Sequence, residues 1–518
     1  MASYLRSGAS GVRERPASPD TWDTSDTYLS VAQARRRAVS LLVLSVVMPG
    51  TAQLIAGNRT IGRIVLRTWL AILAVGAVLG LIAYLSLGTI VGVLSAPWFL
   101  RIAQWFHYAW AIVWAAVVID AWRLGRPASQ PARTRRRFAI ATAMLMILPG
   151  SVAYAGASVS AGRHALSAVF ADGPASGTSH GRYNILLLGG DSGSGREGTR
   201  PDSIQLVSID ARTGRAATFG FARDTANIVF EPGSVMAGLM PEGWTCGDEC
   251  LLNGLYTWAH DHADQFPDGI ADPGILATRE AVEALSGLEI QYYALVDMNG
   301  FRSLIDALGG LEITVMRRTP IGGGSSKILD WIEPGKQQLD GYHALWYARS
   351  REGSSNYERM ARQRCVMSAM VDQVDPRTIA LRFGDIAAAS TGVLRTDIPQ
   401  TELGTLAELA MKTRSQKITG VNFVPPLLKP WDYDIAEMHR IVEETIEISQ
   451  DLPDERAVSD SARPLPGQTP TSSTDGSTST PSPVGSPVAV SPDYDPLDRP
   501  SEDAFARTDD IASVCSVG

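Results

Sequence analysis

The sequence predicts an α/β domain that follows a group of membrane helices. Residues 38–162 contain long apolar stretches without charge, and residues 182–450 alternate short apolar strands with segments of helical spacing. A third region, residues 455–510, is rich in Pro, Ser, Thr and Asp, and we expect it to be disordered. The 518 residues give room for about three such units.

The membrane region is read from segments that lack acidic and basic residues, namely 38–58, 68–100, 102–119 and 138–162. A spanning helix needs about 20 apolar residues, so the last two segments each suit one span. The second is long for one span and short for two, and Met48-Pro49-Gly50 interrupts the first. We therefore predict a membrane region over residues 38–160, after a disordered cytoplasmic N-terminus over 1–37.

Arginines in the short loops predict the orientation, because cytoplasmic loops are enriched in Lys and Arg. Six arginines lie in residues 122–137, and further arginines cluster at 35–37 and 59–67. If all three clusters are cytoplasmic, segment 38–58 re-enters, and the last span leaves everything after about residue 160 outside. Five true spans would give the same sidedness, so we expect a multi-pass plasma-membrane protein with an extracytoplasmic C-terminal domain.

Composition excludes some classes of protein. The net charge of −8 argues against a nucleic-acid partner, which would require a basic face. Four cysteines are too few for a disulfide-built scaffold. Cys246 and Cys250 are close enough in sequence to form a small-loop disulfide outside the cytoplasm, and a pair between Cys365 and Cys515 is a further hypothesis.

The α/β domain is predicted element by element. Strands are expected at 184–188, 203–210, 217–221 and 311–315, and the second and third form a hairpin. Helices are expected at 274–287, 298–308, 356–374, 400–412 and 434–450, with Gly309-Gly310 ending the second of these. On the 356–374 helix, an apolar stripe is interpreted as core packing; it comprises Val366, Met367, Met370 and Val371.

Two carboxylates lie at predicted strand ends. Asp191 follows the first strand, and Asp202, directly after Arg200-Pro201, precedes the second. If these strands are neighbours, the two carboxylates come close together, and such a pair suits Mg²⁺ bound together with substrate phosphates. Taken alone, the same residues also fit turn aspartates or surface ion pairs.

Two arginine clusters complete the pattern. Arg223-Asp224 directly follows the third strand, and the larger cluster comprises Arg349, Arg351, Arg359, Arg362, Gln363 and Arg364. The planar, permanently charged guanidinium suits phosphate oxygens, although a solvated basic face is the alternative for the larger cluster alone. Together, carboxylates and arginines indicate a site for a metal-bound pyrophosphate, and therefore phosphoryl transfer.

The ordered motifs resemble the LytR-CpsA-Psr family, strongly over residues 182–375 and weakly to 450. They are Asn184-Ile-Leu-Leu-Leu-Gly-Gly-Asp191, Arg200-Pro-Asp202-Ser, Arg223-Asp-Thr, Asp297-Met-Asn-Gly-Phe301, Ile305-Asp-Ala-Leu-Gly-Gly310, Leu339-Asp-Gly-Tyr-His-Ala-Leu-Trp-Tyr-Ala-Arg-Ser-Arg351 and Arg359-x-x-Arg362-Gln363. The resemblance implies a three-layer αβα domain with a mixed central sheet and a hydrophobic pocket for a polyprenyl-pyrophosphate lipid.

The resemblance also implies an activity. Such enzymes move a glycopolymer from the lipid carrier to a peptidoglycan hydroxyl and leave the lipid monophosphate. By the family pattern, Asp191 and Asp202 hold Mg²⁺ and, with Arg223 and Arg349, form the catalytic set. The substrate-binding set implied by the resemblance is Arg200, Asp224, Asn253, Arg349, Arg351, Arg359, Arg362 and Gln363.

This sequence departs from the family pattern at three positions. Asn356 stands where the family has Asp, Ala222 stands where it has Pro, and only Asn253 remains of a Lys-Ile-Asn segment. Three alternatives stay open. The acceptor could be a surface protein, water could replace the sugar hydroxyl and give a pyrophosphatase, or the domain could be a non-catalytic binder or sensor of lipid-linked wall intermediates.

Overall fold

The computed structural model describes residues 31–171, 173–190, 200–323, 327–373, 394–452 and 506–508. The chain divides into two compact units, Met1–Val75 with His107–Ala153, and Gly76–Phe106 with Tyr154–Gly518. Nearly all of the predicted N-terminal and C-terminal disordered segments lies outside the described residues.

Within the described residues, helices alone precede the first strand. They are α1 (Val31–Val47), α2 (Thr51–Ala56), α3 (Arg59–Leu85), α4 (Leu87–Ser95), α5 (Pro97–Leu124), α6 (Ala132–Leu145) and α7 (Ile147–Val169). Three stretches are long and apolar enough to cross a membrane, namely α3, α5 and the run Ala132–Val169. The uncharged stretch 68–100 therefore holds the end of one candidate span and a separate short helix, α4, with the break at Ser86.

The first unit packs its helices through glycine and aromatic contacts. A break at Met48–Gly50 separates α1 from α2, and Gly50 has the left-handed φ of 97° that favours glycine. A Cβ at Gly50 would lie 2.6 Å from the carbonyl oxygen of Gly62 on α3. The rings of Trp69 and Trp110 stack at 6.0 Å. The predicted interruption of segment 38–58 is thus confirmed.

The second unit contains the α/β domain. Its strands are β1 (Arg182–Gly190), β2 (Pro201–Asp210), β3 (Ala216–Phe221), β4 (Tyr292–Asp297), β5 (Leu311–Val315), β6 (Thr319–Ile321), β7 (Asp330–Ile332), β8 (Gly335–Leu339), β9 (Leu394–Thr396), β10 (Thr419–Phe423) and β11 (Arg507–Thr508). Its helices are α8 (Val235–Leu239), α9 (Leu252–Asp261), α10 (Pro273–Ser286), α11 (Met298–Leu308), α12 (Gly341–Arg349), α13 (Asn356–Gln373), α14 (Leu403–Arg414) and α15 (Ile435–Asp451).

The central sheet is mixed, as the sequence predicts. Seven strands run in the order β11-β10-β3-β2-β1-β4-β9. The pairs β1–β4 and β3–β10 are parallel, and the remaining neighbours are antiparallel. The predicted hairpin of the second and third strands is confirmed by the β2–β3 register, in which Ile204 pairs with Phe221.

Helices cover both faces of this sheet, which gives three layers. On one face, Leu186, Leu206 and Phe219 of the strands pack in the main core with Val282 of α10 and Ile441 of α15. Helices α11, α12 and α13 form a second core with the small β5–β8 sheet. Alternation along the strands explains the arrangement, because successive side chains point to opposite faces.

One of the two predicted disulfides lies wholly within the residues that the structure describes, and the other lies only partly within them. Cys246 and Cys250 form a disulfide, as expected. Cys365 is also disulfide-bonded, but its predicted partner, Cys515, lies outside the described residues.

Candidate functional site

Most of the predicted site residues lie along one edge of the sheet, which is formed by the ends of its central strands. Because β1 and β4 are parallel and β2 is antiparallel to β1, the ends of β1 and β4 meet the start of β2 at the same edge. β3 also ends there, since Phe221 pairs with Ile204 near the start of β2. The register shifts between Gly189 and Gly190, so that Gly190 faces Pro201. The site therefore lies where four strands begin or end.

Asp202 is the centre of this edge. Arg223 Nη1 lies 2.7 Å from Asp202 Oδ1, and Asn253 Nδ2 lies 3.4 Å from the same oxygen. Arg351 Nη2 lies 3.9 Å from the other carboxylate oxygen. Three residues that the sequence analysis placed in one site, from three distant segments, thus converge on one carboxylate.

A short loop holds Arg223 and Asn253 together. The Thr225 amide donates to the Ala222 carbonyl at 3.0 Å, which closes a turn directly after β3. The Asn253 amide donates to the Arg223 carbonyl at 3.1 Å, and the Leu252 amide donates to the Thr225 carbonyl at 2.8 Å. These backbone bonds fix the start of α9 against the turn, so Asn253 is positioned by the main chain and not only by its side chain.

Helix α13 adds a buried arginine to the cluster. Arg359 is 3% exposed, and its Nη2 donates to the Asp202 carbonyl at 3.1 Å. Burial, and next the positive charge of Arg351, lower the pKa of Arg359 to about 10. The protein therefore holds this guanidinium where its charge is disfavoured, and a bound anion would relieve that cost.

The electrostatics of Asp202 point the same way. Burial alone would raise its pKa, but the hydrogen bond and charge of Arg223, followed by the charges of Arg359 and Arg351, outweigh burial and lower it. Asp202 is therefore ionised at neutral pH. Around it lie three arginines, and Asp224 is a second carboxylate that interacts with Arg351. Three positive charges thus exceed two negative charges here, and this excess suits phosphate oxygens.

A cavity of about 740 Å³ opens from this cluster. Its polar end is lined by Asp202, Arg223, Arg351 and Arg359. Its apolar wall comes from the sheet and from α11 to α13, and includes Leu187, Val296, Phe301, Leu304, Val366, Met367 and Met370. The sequence analysis interpreted the apolar stripe of this helix as core packing. For Met367 this was wrong, because it lines the cavity and joins no core cluster, whereas Val366 and Met370 line the cavity and also pack in the second core.

Two further predicted residues line the cavity. Arg349 Nη1 lies 2.9 Å from the Met298 sulfur, and its guanidinium lies 5.1 Å from the centre of the Trp346 ring. Gln363 accepts a hydrogen bond from Ser203 Oγ at 3.1 Å and donates to the Ala348 carbonyl at 3.4 Å. Both residues therefore bridge the polar end of the cavity to its apolar wall.

Other predicted residues are not brought to the cavity. The Arg362 guanidinium points to main-chain groups, with Nε 2.8 Å from the Tyr347 carbonyl, and it also binds the Ser350 carbonyl. Arg200 is exposed and Asp224 is partly buried, and neither is among the lining residues. Asp191 lies outside the described residues. In this structure Arg362 positions the segment that carries Arg349 and Arg351.

Several lining residues were missed by sequence reasoning. Met298, Trp346 and Gln205 carried no charge signal, and their roles follow only from strand and helix packing. Met298 and Trp346 do lie inside the motifs that carry the family resemblance, so their positions in those motifs could have indicated that they belong to the site. Gln205 had none, because an amide within a strand is ordinarily exposed or paired.

Comparison with known proteins identifies the domain. The sequence profile described as the LytR_cpsA_psr family matches residues 157–426, which is just over half of the chain. The chain belongs to the LytR-CpsA-Psr family. This confirms the resemblance that the ordered motifs suggested.

Individual relatives of this LytR-CpsA-Psr protein are distant. A polyisoprenyl-teichoic acid–peptidoglycan teichoic acid transferase, TagU of Enterococcus faecalis, is 25% identical over 51% of this chain and 78% of its own length. The cell wall biosynthesis protein LcpA of Corynebacterium glutamicum is 28% identical over 38% of this chain and 40% of its own length. The crystal structure of Bacillus subtilis TagV aligns with 53% of this chain and 100% of its own, at 21% identity and a TM-score of 0.38.

Proposed function

We propose that this protein is a membrane-anchored phosphotransferase that moves a glycopolymer from a polyprenyl-pyrophosphate carrier to a hydroxyl group of peptidoglycan. One observation carries the proposal: a cluster of arginines, which ranges from the buried Arg359 to the exposed Arg351, lies at the polar end of a cavity whose remaining lining is mostly apolar. A pyrophosphate on a long hydrocarbon chain matches both parts of this cavity. Relatives of the chain are named as transferases of teichoic acid to peptidoglycan, which agrees with this chemistry.

The reaction follows from the charges in the site. The oxygen of an acceptor hydroxyl forms a bond to the phosphorus that carries the glycan, and the bond from that phosphorus to the bridging oxygen breaks. Lipid monophosphate leaves with the bridging oxygen, and the hydroxyl proton is released to solvent. Arg223, Arg351 and Arg359 stabilise the negative charge that spreads over the phosphate oxygens.

Arg349 and Gln363 have a positioning role in this proposal. Both lie between the charged end of the cavity and its apolar wall, where the head group of the carrier joins its lipid chain. The contact of Arg349 with Met298 and Trp346 orients its guanidinium. The Ser203–Gln363 hydrogen bond likewise fixes the amide against the start of β2. Correct placement of the two phosphates lowers the activation barrier, because the substrate loses translational and rotational freedom on binding and not during the reaction.

Magnesium is part of the proposal, and the residues present fit it. Asp202 is ionised, and its Oδ2 makes no hydrogen bond to any part of the chain that the structure describes. One or two carboxylates with substrate phosphates are the ligands that Mg²⁺ commonly takes in proteins. Asp202 and, by the family pattern, Asp191 would hold it. When bound, the ion would neutralise charge on the pyrophosphate and on the departing lipid phosphate.

We propose that the catalytic domain lies on the extracytoplasmic side of the membrane. The arginine-rich residues 122–137 follow α5, and arginines also lie at the start of α3. With both clusters in the cytoplasm, the three candidate spans leave residues after Val169 outside the cell. Substrates linked to wall polymers are available only on that side.

The test uses the full-length protein in detergent with Mg²⁺ and a polyprenyl-pyrophosphate-linked glycan, with and without peptidoglycan fragments. We expect release of lipid monophosphate by the wild type and its loss in Asp202→Ala and Arg349→Ala. The exposed substitutions Asp268→Ala and Arg212→Ala are the matched controls. Tight binding of the carrier without release, unaffected by either site substitution, would instead support a binder or sensor. Release that never depends on an acceptor would support a pyrophosphatase.

A further inference from the structure

The short helix α4 makes an unusually close contact with the α/β domain. It is an apolar segment between the candidate spans α3 and α5. It runs antiparallel to α14, because Gly88 contacts Glu408 whereas Ser95 contacts Gln400. Gly92 meets Gly404, and Ser95 Oγ lies 3.5 Å from the Gln400 carbonyl. A Cβ at Gly404 would lie 2.6 Å from the Gly88 carbonyl oxygen and 2.9 Å from Gly92 Cα.

This spacing leaves no room for side chains. Gly88 and Gly92 are four residues apart on α4, so both face α14, and the two backbones approach as in small-residue contacts between membrane helices. Gly88, Ile90 and Ser95 of α4 are buried, as is Gly404. The contact is therefore a packed interface and not a chance approach of a connecting loop.

The position of α14 shows which end of the domain α4 contacts. Leu409 of α14 packs with Tyr183 and Tyr292, which lie at the start of β1 and β4. Thr413 Oγ1 donates to the Gly214 carbonyl in the β2–β3 turn at 2.7 Å. Helix α14 thus covers the edge of the sheet opposite to the edge that carries Asp202.

The chain that leaves the last candidate span arrives at the same edge. The Ala171 amide donates to the Ile398 carbonyl at 3.0 Å, and the Gln400 amide donates to the Ala171 carbonyl at 3.2 Å. Gln400 is therefore in contact both with the chain after α7 and with Ser95 of α4. The domain is attached to its apolar helices at two points, and both points are on one edge.

The two ends of the cavity lie at different distances from the edge that α4 contacts. Strand β1 runs from Arg182 to Gly190, so about 26 Å separates the two edges. Along α13, Met370 lies eleven residues after Arg359, or about 16 Å deeper along the helix axis. The arginine end of the cavity is thus remote from α4, and its apolar wall extends from there back toward the attached edge.

We propose that the α4–α14 contact fixes the orientation of the domain relative to the membrane. In this orientation the apolar lining of the cavity faces the bilayer, and the arginine cluster faces away from it, toward the peptidoglycan. The proposal rests on the proposed function, because its consequence concerns a lipid carrier. With the contact in place, the lipid chain enters the cavity directly from the bilayer. Without the α4–α14 contact, only the connection after α7 attaches the domain to the membrane helices, and the domain samples many orientations.

The experiment compares two substrates in one set of variants of the full-length protein, reconstituted in vesicles. One is the full-length polyprenyl-pyrophosphate-linked glycan in the same bilayer, and the other is a water-soluble analogue with two or three isoprene units. We expect Gly404→Leu and Gly88→Leu to lower turnover of the bilayer substrate at least tenfold and to leave turnover of the soluble analogue within twofold. Gly404→Ala, which adds only a methyl group and has the higher helix propensity, should give an intermediate effect.

Gly80→Leu is the matched control, since a Cβ at Gly80 on α3 has no neighbour within 4 Å. It should leave both rates unchanged. If the two rates fall together in the α4 and α14 variants, or if neither falls, the α4–α14 contact does not orient the domain and the proposal is wrong. A wild-type protein that turns over neither substrate would refute the proposed function instead.

A second measurement tests the contact without any activity. Asp268→Cys adds an exposed thiol for labelling, and the cysteines that the structure describes, which are all in disulfides, do not compete for the label. Energy transfer from this label to a lipid acceptor should give a narrow distribution of distances in the wild type and Gly80→Leu. Gly404→Leu should broaden it, and an unchanged narrow distribution would overturn the proposal.

Discussion

The Arg359 guanidinium donates a hydrogen bond to the backbone carbonyl of Asp202, whose carboxylate is itself bound by Arg223. Two arginines from distant segments thus hold the two ends of one residue. Both contacts come from the protein itself, so they position Asp202 at the start of β2 before a substrate binds. A site arranged in this way before binding needs little rearrangement during the reaction.

Replacing Asp202 by Ala should lower transferase activity about 100-fold or more, because the arginine cluster loses the carboxylate that organises it and a ligand for Mg²⁺. Release of lipid monophosphate by the purified full-length protein measures the effect. Asp268→Ala should retain wild-type activity, since that side chain is exposed and remote from the lining residues. Equal activity in both variants would remove Asp202 from the mechanism.

Replacing Arg362 by Ala should act on stability first. Its guanidinium binds the carbonyls of Tyr347 and Ser350, and a charged hydrogen-bond donor at such buried acceptors contributes about 1.5–3 kcal/mol. The melting temperature should fall by about 2–4 °C for each kcal/mol lost. Arg362→Lys should not restore it, because one ammonium cannot reproduce the fork. A variant with wild-type melting and a raised KM for the carrier would instead assign Arg362 to substrate binding.

Asp202 should also make stability depend on pH. Its pKa in the folded protein is below the ordinary value of 3.8, so its contribution is fully present above that value and is lost as pH falls through the folded pKa. The difference in melting temperature between wild type and Asp202→Asn should therefore shrink on acidification from about pH 5. Asp268→Asn corrects for the loss of one charge. A difference that grows with acidification would contradict the direction of the shift.

A charge in the apolar wall should distinguish carriers by lipid length. Met367→Asp places a carboxylate in the cavity where the proposed lipid chain lies, and burying it beside hydrocarbon is unfavourable. We expect KM to rise at least tenfold for the long-chain carrier and much less for an analogue with two isoprene units. Met411→Asp, at a partly exposed methionine of α14, is the control. Equal changes for both carriers would indicate that the wall does not hold the lipid.

The small disulfide should affect stability without affecting the reaction. Closing a loop of this size is worth about 2 kcal/mol in the chain-entropy model, and neither cysteine lines the cavity. Cys246→Ser with Cys250→Ser should lower the melting temperature and leave the turnover rate within twofold. A large loss of turnover at a temperature where the variant is folded would give the loop a direct role.

The sequence predicted the main elements of this fold because their signals are local. Alternation over Ser203–Asp210 and the glycines at 309–310 each report on a few neighbouring residues, and the corresponding elements, β2 and α11, were confirmed. The pairing of β10 beside β3 was not predicted, because nothing in Thr419–Phe423 specifies a partner so far away. The strands β4 and β8 were missed as well. So were the short strands β6, β7 and β9, since three residues give no measurable period.

The site was predicted unevenly for a related reason. Charged residues at or near the predicted strand ends indicated that Asp202, Arg223 and Arg351 belong to one site. The apolar wall was not recognised, because Met367 on an amphipathic helix has the same pattern whether it faces a core or a cavity. Arg362 and Gln363 are neighbours in sequence, yet one points to main-chain carbonyls and the other to the cavity. Only packing separates the two.

The parallel pairing of β3 with β10 has a consequence for biosynthesis. Ala217 pairs with Thr419, so about 200 residues must be synthesised before β3 gains its second neighbour. At about 5–20 residues per second, this interval lasts about 10–40 seconds. Throughout it, an apolar strand that includes Phe219 and Phe221 presents one open edge, which is the feature that recruits other strands into aggregates. The emerging chain therefore needs protection during this interval, most of all when several copies are made close together.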